Sequence, residues 1–445
     1  MEYIERMQHV SVLGAAGKMG SGILLLTALE MAELKLSPEG KGKTFVLNAI
    51  DVSDQALAGL ISYLRAQVLK SAEKNLVRIR KLYAAREDLI DNADIVRQYI
   101  EDVLGIVRPA TNLAVTDRSH VIFEGVNESE ELKIKLFRQI EACNSTKPWY
   151  FTNTSSIPIS ALNEKAALAG RIIGFHFYNP PAVQKLVELI PASVTKPELT
   201  EFAEHFGKRL RKTLVRSNDV AGFIGNGHFM RDVLHGIAAL EALRTEMSFV
   251  EALYSVNRVT QDFLIRPMGI FQLMDYVGID VCQFILKVMS SYLPGEGLHS
   301  KLIDDLLAQG VKGGQNPDGS QKDGLFAYEK GRPRACWDPE VKTYLNLTDI
   351  APACDKALGD LPATHQPWKK MISIPNREVF LHSYFAELKK LQSRGAALSL
   401  SYARRSREIG LELVSDGVAA APEDVNTVLL TGFFHAYGPI NDFCN

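Results

Sequence analysis

Apolar and polar positions alternate along the first half of the chain in blocks that predict strands and helices in turn. Short apolar runs typical of buried strands begin at His9, Thr44, His120, Lys147 and Ile172. Between several of them lie longer segments with helical spacing. Strands that alternate with helices are typical of a parallel sheet with helices on both faces. The pattern therefore predicts a doubly wound α/β domain over residues 1–217.

Helical patterns alone continue beyond the last predicted strand, Thr213 to Arg216. They predict a first all-α domain over residues 218–330, and the prolines of residues 331–370 predict an irregular linker. Helical spacing returns over residues 371–445, where EDVNTVLLTGFFHAYGPIND echoes FVEALYSVNRVTQDFLIRPMGIFQLMD. We interpret this echo as a weak internal repeat, which predicts a second all-α domain built like the first.

The composition narrows the class of protein. The 445 residues are 46% hydrophobic and carry a formal net charge of −2, so no bulk positive field recruits nucleic acid. No apolar run reaches the ~18–20 residues that a membrane span needs, and the first residues lack the apolar core of a signal peptide. The five cysteines form no C-x-x-C pair, so we expect free thiols in a reducing cytoplasm and no metal site.

A glycine-rich turn joins the first predicted strand to the next helix. Gly14, Gly17 and Gly20 are spaced G-x-x-G-x-x-G, with Lys18 and Met19 between the last two. Such glycines permit a tight turn, close approach of the backbone to a pyrophosphate, and close packing of helix on strand. A plain strand–helix turn is the alternative. The position between a strand and an apolar helix favours dinucleotide binding.

An acidic residue ends the second predicted strand. Asp51 stands where a carboxylate can accept hydrogen bonds from the hydroxyl groups of an adenine ribose. No lysine or arginine follows it until Arg65, and a carboxylate repels the 2′-phosphate of NADP. The sequence therefore predicts NAD as the cofactor.

A charged helical stretch over residues 53–107 contains a run of cations. This cationic arm consists of Lys70, Lys74, Arg78, Arg80 and Lys81. A charge run of this kind usually marks a solvated helix face. The functional alternative is an arm that meets the phosphates of a carrier-linked substrate.

Side chains capable of acid–base chemistry are concentrated between Phe151 and Glu188. The polar run Asn153 to Ser156 follows one predicted strand, His176 ends another, and Glu188 comes twelve residues later. A hydroxyl, an imidazole and a carboxylate in this order predict an acid–base site. The alternatives are a helix-capping serine, a core histidine and a surface carboxylate.

Two further charged residues follow the strand that begins at His120. Glu128 and Lys133 stand near its carboxyl end, where ligands bind in a doubly wound sheet. They are therefore site candidates, and a surface salt bridge is the alternative.

The motifs NTSS, GFHFYNPPAVQKLVELI and GFIGN, at this spacing, resemble the L-3-hydroxyacyl-CoA dehydrogenases of fatty-acid β-oxidation. The resemblance extends from Val10 to about Tyr328 and continues weakly beyond. It implies a Rossmann-type NAD-binding domain followed by all-α domains of the 6-phosphogluconate-dehydrogenase-like type. Two tandem copies of the all-α domain, as predicted for this chain, are also what the resemblance implies, because the dehydrogenase part of multifunctional β-oxidation enzymes carries two copies. The implied reaction is NAD-dependent oxidation of an (S)-3-hydroxyacyl-CoA to a 3-oxoacyl-CoA through a His–Glu dyad.

The resemblance also assigns roles to individual residues. His176 matches the catalytic base, and Glu188 matches the carboxylate that orients its imidazole. Ser155 matches a hydroxyl that contacts the substrate 3-oxygen, and Asn226 matches an amide that holds the substrate carbonyl region. Lys74 falls at the position of a lysine that contacts the CoA phosphates. Glu128, Lys133 and Asn179 match family residues at or near the nicotinamide. The residues predicted to bind the cofactor are thus Gly14, Gly17, Lys18, Met19, Gly20, Asp51, Glu128, Lys133, Asn153 and Asn179.

Other functions and assemblies stay open at this point. The same superfamily contains dehydrogenases for hydroxy acids without CoA, such as gulonate dehydrogenases. A structural NAD-binding protein without turnover is a further alternative. A repeated second domain can replace a partner subunit, so both a monomer with an internal pair of all-α domains and a homodimer are compatible with the chain. The sequence carries no signal for acyl chain length or physiological direction.

Overall fold

The computed structural model describes residues 1–316 and 319–444. The chain divides into two compact units, Met1–Asp219 and Val220–Asn445. Each unit has its own apolar core. The predicted domain boundary after residue 217 lies close to the end of the first unit.

The first unit is built on one eight-stranded sheet. Its strands are β1 (His9–Leu13), β2 (Val46–Ile50), β3 (Val107–Ala110), β4 (Val121–Glu124), β5 (Trp149–Thr152), β6 (Ile172–Phe177), β7 (Leu186–Ile190) and β8 (Thr213–Arg216). The spatial order is β3-β2-β1-β4-β5-β6-β7-β8. Strands β1 to β6 run parallel, whereas β7 and β8 run antiparallel to them. The order reverses between β1 and β4, where a doubly wound sheet binds its ligand.

Helices cover this sheet. They are α1 (Tyr3–Arg6), α2 (Gly20–Leu36), α3 (Asp54–Lys74), α4 (Leu76–Leu82), α5 (Asn92–Leu104), α6 (Glu130–Cys143), α7 (Ile159–Ala166) and α8 (Pro197–Arg209). Every residue of β4, β5, β6 and β7 is buried, because helices exclude water from the faces of a sheet of this class. The predicted Rossmann-type α/β domain is confirmed.

The second unit is mainly helical. Its helices are α9 (Gly225–Leu243), α10 (Phe249–Arg258), α11 (Ile270–Val277), α12 (Ile279–Tyr292), α13 (Lys301–Ala308), α14 (Leu347–Leu358), α15 (Trp368–Met371), α16 (Arg377–Leu388), α17 (Arg394–Ser415) and α18 (Pro422–Gly432). A π-helical turn, Val259–Phe263, follows α10.

A small sheet corrects the prediction that this unit is all-α. Strands β9 (Phe326–Glu329), β10 (Arg332–Asp338) and β11 (Thr343–Asn346) pair antiparallel in the order β11-β10-β9. Pro333 lies where the β9–β10 register shifts, and a proline without an N–H is tolerated at such an irregularity. Residues 331–370, which also contain α14 and most of α15, are therefore not an irregular linker.

One apolar core joins the two segments that were predicted as separate all-α domains. It contains Phe229 and Leu253 from the first segment, and Tyr384 and Tyr402 from the second. The two segments pack within one unit, and their origin as tandem copies stays a prediction. Residues 317–318 and 445 of these segments lie outside the described residues.

The described part of the chain contains no helix with the length and apolar character needed to cross a bilayer. Each of the five cysteines lies in this part and is a free thiol, as predicted. Cys143 is exposed, and the other four are buried.

Candidate functional site

The glycine turn between β1 and α2 is packed so closely that side chains are excluded. Gly14 has a φ of +69°, and its carbonyl oxygen accepts the N–H of Gly17 at 3.0 Å. A Cβ at Gly20 would lie 1.9 Å from the same oxygen. Lys18 is exposed in the turn, and Met19 precedes the helix. This geometry fits a pyrophosphate, because the first N–H groups of a helix have no intrahelical acceptor.

Asp51 lies directly after β2, beside this turn. One of its carboxylate oxygens accepts the N–H of Ala16 at 2.9 Å, and the other accepts the N–H of Val52 at 2.8 Å. The carboxylate thus ties the turn to the strand while the residue stays partly exposed. These residues fit the adenosine half of NAD, because a partly exposed carboxylate here can accept ribose hydroxyl groups.

A buried ion-pair cluster joins the end of β4 to the first turn of α6. The ammonium of Lys133 lies 2.7 and 2.8 Å from the two carboxylate oxygens of Glu124, and 3.1 Å from Oε2 of Glu128. Burial acts to lower the pKa of Lys133, but the two carboxylates raise it, and the net shift is upward. Lys133 therefore stays charged and holds both carboxylates in place. Its contact with the cofactor stays a prediction.

Glu128 binds the polar turn that follows β5. Its Oε1 accepts the N–H of Ser155 at 2.7 Å and the hydroxyl of Thr154 at 2.6 Å, and the Ser155 hydroxyl lies 3.3 Å from it. Burial acts to raise the pKa of Glu128, but Lys133 and these donors lower it, so the carboxylate is ionised. The structure thus places a predicted cofactor residue against the serine predicted to contact substrate. No motif in the sequence indicates this contact.

Asn153 connects the ends of three strands. Its backbone N–H donates to the carbonyl of Glu124 at 2.8 Å, and its Oδ1 accepts the backbone N–H of Phe177 at 2.8 Å. Phe177 directly follows His176. Asn153, predicted to bind the cofactor, therefore also fixes the end of the strand that carries the predicted base.

His176 and Glu188 occupy directly paired positions on the antiparallel strands β6 and β7. Side chains at paired positions lie on the same face of a sheet, and His176 Nδ1 is 3.2 Å from Glu188 Oε1. Both side chains are buried. A separation of twelve residues becomes a contact because the chain reverses direction between the two strands.

Tyr178 completes this group and was not among the predicted site residues. Its hydroxyl donates to the same Oε1 of Glu188 at 2.7 Å, and its ring centroid lies 4.9 Å from that of His176. Burial, together with the Glu188 carboxylate, raises the pKa of Tyr178 well above its ordinary value, so the phenol remains a donor. Tyr178 lies directly after β6, and strand alternation continued by one residue places residues 176 and 178 on one face. That signal was available in the sequence.

This arrangement suits proton transfer at the second ring nitrogen of His176. We assign the proton of the neutral ring to Nδ1 from its carboxylate partner, which makes Nε2 the acceptor. A proton that arrives at Nε2 creates an imidazolium, and the adjacent carboxylate stabilises that charge. The group can therefore act as a general base and, in reverse, as a general acid.

The remaining predicted residues lie on other elements. Asn179 is in the loop directly after β6. Lys74 is the last residue of α3 and is exposed. Asn226 is the second residue of α9, in the second unit, and is partly buried. Their roles stay predictions.

Two protein-family profiles match the chain in succession. The profile described as "3-hydroxyacyl-CoA dehydrogenase, NAD binding domain" matches residues 9–220. The profile described as "3-hydroxyacyl-CoA dehydrogenase, C-terminal domain" matches residues 222–322. The first match covers the sheet unit with its glycine turn and Asp51, and NAD is the cofactor of this domain.

Individual relatives are similar over most of the same region. The human mitochondrial hydroxyacyl-coenzyme A dehydrogenase is 27% identical over 319 residues, 71% of this chain and 91% of that protein. A probable 3-hydroxybutyryl-CoA dehydrogenase from Deinococcus radiodurans is 28% identical over 223 residues, 50% of this chain and 78% of that protein.

A solved structure extends the similarity in fold to the rest of the chain. The crystal structure of 3-hydroxybutyryl-CoA dehydrogenase from Escherichia coli K12 has a TM-score of 0.64 at 21% identity. The match covers 98% of this chain and 90% of that one. With both family profiles matched in order over residues 9–322, the chain belongs to the 3-hydroxyacyl-CoA dehydrogenase family of NAD-dependent oxidoreductases.

Proposed function

We propose that the chain catalyses the reversible NAD-dependent oxidation of an (S)-3-hydroxyacyl-CoA to a 3-oxoacyl-CoA, as a step of fatty-acid β-oxidation. The observation that carries this proposal is the buried contact of 3.2 Å between His176 Nδ1 and Glu188 Oε1. A histidine held in this way can take the proton of an alcohol as its carbon is oxidised. The relatives named above support a CoA thioester as the class of substrate.

His176 acts as the base for the 3-hydroxyl group. Its Nε2 accepts the hydroxyl proton while the hydrogen on C3 leaves with its electron pair. When bound, NAD supplies the acceptor for that hydride. Glu188 keeps the imidazole in the required tautomer and stabilises the imidazolium. In the reverse direction, the imidazolium returns the proton to the 3-oxygen.

Ser155, Asn226 and Lys74 have positioning roles in this proposal. The Ser155 hydroxyl contacts the 3-oxygen, the Asn226 amide holds the substrate carbonyl region, and the Lys74 ammonium meets a CoA phosphate. Lys74 is exposed, and an exposed charge pair contributes only about 0–1 kcal/mol. We therefore expect Lys74→Ala to raise the KM for an acyl-CoA by no more than about fivefold.

The test follows the absorbance of NADH with acetoacetyl-CoA, with free 3-oxo acids and sugar acids as parallel substrates. We expect turnover of the CoA thioester. Turnover of the free acids alone would assign the chain to the hydroxy-acid dehydrogenases of the superfamily. Binding of NADH without turnover of any substrate would indicate a structural NAD-binding protein.

A further inference from the structure

The first turn of α9 carries Asn226 between two glycines. Gly225 begins the helix and Gly227 follows Asn226, and glycine weakens a helix because it loses the most conformational freedom on folding. The chain enters this turn through Gly222 and Phe223, whose φ values are +86° and +50°. A buried phenylalanine with a positive φ is strained and persists only where surrounding contacts hold it. Local preference therefore does not fix the position of Asn226, and contacts with other elements have to do so.

Helix α17 of the same unit packs against this turn. A Cβ at Gly227 would lie 3.2 Å from Cδ2 of Leu413, so the glycine lets α17 approach closely. The next residue, His228, is buried, and its Nε2 lies 3.0 Å from the backbone carbonyl oxygen of Ser406. The two residues that directly follow Asn226 therefore both contact α17.

The hydrogen bond of His228 has a defined direction. Burial lowers the pKa of His228 although the Asp232 carboxylate acts to raise it, so the ring is neutral. A carbonyl oxygen can only accept, so we assign the single ring proton to Nε2. The buried Nδ1 has no hydrogen-bond partner among the described residues. The bond to the Ser406 carbonyl is therefore the hydrogen bond that holds this ring.

One helical turn further along α9, a buried ion pair fixes α17 in place. The guanidinium of Arg266 donates to Oδ2 of Asp232 at 2.7 Å and to the hydroxyl of Ser406 at 3.1 Å. The Tyr402 hydroxyl donates to the backbone carbonyl of Asp232 at 2.9 Å. All four side chains are buried, where a fully paired network is rigid. Helix α17 is therefore a firm support for the turn that carries Asn226.

We propose that His228 is a positioning residue, through which α17 holds Asn226 against the carbonyl region of the substrate. The inference rests on the proposed function, in which Asn226 binds that region. His228 acts through Asn226, and a displacement of a binding group by about 1 Å can lower a rate by about 10²-fold. Helix α17 spans Arg394–Ser415, beyond the matched C-terminal profile, which ends at residue 322. The last part of the chain thus contributes to turnover as well as to the core.

The test removes the hydrogen bond and then restores it. His228→Leu keeps a buried side chain of similar size without a donor, whereas His228→Gln can place an amide N–H near the position of Nε2. We expect kcat/KM for acetoacetyl-CoA to fall about tenfold in His228→Leu and to stay within about threefold of the wild type in His228→Gln. The Kd of NADH should stay within about twofold of the wild type in both variants, because the cofactor residues lie in the other unit.

His235→Leu is the matched control. His235 also lies on α9, and its ring centroid is 4.5 Å from that of Tyr402 on α17. It is nine residues from Asn226, roughly 13 Å along the helix. We therefore expect kcat/KM of His235→Leu to stay within about twofold of the wild type. Equal falls in His228→Leu and His235→Leu would show a purely structural role and overturn the proposal. So would an unchanged kcat/KM in His228→Leu, or a fall in His228→Gln as large as that in His228→Leu.

Hydrogen exchange on the full chain tests the support of the turn without any substrate. The N–H groups of Gly227 and His228 donate to the carbonyls of Gly222 and Ile224 at 2.8 and 2.9 Å. Exchange at these two amides should be at least about fivefold faster in His228→Leu and close to the wild type in His228→Gln and His235→Leu. That result supports the hold on Asn226 even if the wild type fails to turn over acetoacetyl-CoA and the proposed function falls. Unchanged exchange in His228→Leu would overturn the proposal and leave the proposed function intact.

Discussion

His176 and Glu188 face each other across two antiparallel strands, with Nδ1 and Oε1 3.2 Å apart. The contact depends on the register of β6 and β7, because a shift by one residue would move Glu188 to the other face of the sheet. Tyr178 binds the same carboxylate oxygen from the same side. The chemistry of the site is thus fixed by the single reversal of direction in an otherwise parallel run of strands.

Replacing the imidazole tests its role as the base. We expect His176→Gln to lower kcat by about 10²–10⁴-fold, the usual contribution of a general base, with little change in NADH binding. Steady-state rates with acetoacetyl-CoA and a fluorescence titration of NADH measure the two effects. His205→Gln, an exposed histidine of the same unit, is the control and should retain full activity. Near-normal turnover by His176→Gln would remove His176 from the mechanism.

The carboxylate partner should act through charge. In Glu188→Gln an amide replaces the buried carboxylate, so the imidazolium formed during oxidation loses its counter-charge. We expect kcat to fall at least about tenfold with KM nearly unchanged, because the loss is confined to the charged state. Glu198→Gln, an exposed position on α8, is the matched control. A kcat for Glu188→Gln within twofold of the wild type would contradict the role assigned to this carboxylate.

Much of the fold can be predicted from the sequence, because parallel strands that are buried on both faces consist of nearly continuous apolar runs. The runs that contain Val121–Glu124 and Ile172–Phe177 are strands with every residue buried. The β9–β11 sheet was not predicted because a proline such as Pro333 usually interrupts a strand. Only the pairing with the neighbouring strand shows that Pro333 lies at a register shift, where a proline is tolerated. The contact of Glu128 with Ser155 was not predicted either, because it too depends on which strands are neighbours. It joins turns 27 residues apart that only the sheet brings together.

The buried ion pair of the first unit gives a prediction about stability. Lys133→Met would leave the Glu124 carboxylate buried without its cation. Removing one partner of a buried pair costs about 3–5 kcal/mol, so the free energy of unfolding should fall by that amount in urea denaturation. Lys135→Met, on the exposed side of the same helix, should change it by less than about 0.5 kcal/mol. Adding Glu124→Gln to Lys133→Met should recover part of the loss, and a further loss would contradict the pairing.

Asp51 should govern the choice between NADH and NADPH. Its carboxylate is positioned by the N–H groups of Ala16 and Val52 and repels a 2′-phosphate. We expect the wild type to have a much higher kcat/KM with NADH than with NADPH, and Asp51→Ser to narrow that ratio by at least about tenfold. Asp54→Ser, an exposed acidic residue three positions later, serves as the control. An unchanged ratio in Asp51→Ser would place the discrimination elsewhere.

A buried carboxylate in the second unit links stability to pH. Asp275 accepts the N–H groups of Leu325 and Phe326 at 2.7 and 2.8 Å and the hydroxyl of Tyr328 at 2.9 Å. It is fully buried, and burial raises its pKa to about 7 against the effect of these donors. The carboxyl group of Asp275 therefore connects β9 to α11, and its burial favours the protonated form.

The sign of the pH dependence follows from this upward shift. The folded chain binds the proton of Asp275 more tightly than the unfolded chain does, so its contribution is full below the ordinary pKa of 3.8 and lost as the pH rises through about 7. Between pH 5 and pH 8 the wild type should lose about 2–3 kcal/mol of stability relative to Asp275→Asn, which cannot titrate. Urea denaturation at both pH values measures this difference. Asp280→Asn, at an exposed position, is the control, and its free energy of unfolding should change between the two pH values as much as that of the wild type. If the free energy of unfolding of Asp275→Asn changed between pH 5 and pH 8 as much as that of the wild type, Asp275 would not titrate in this range.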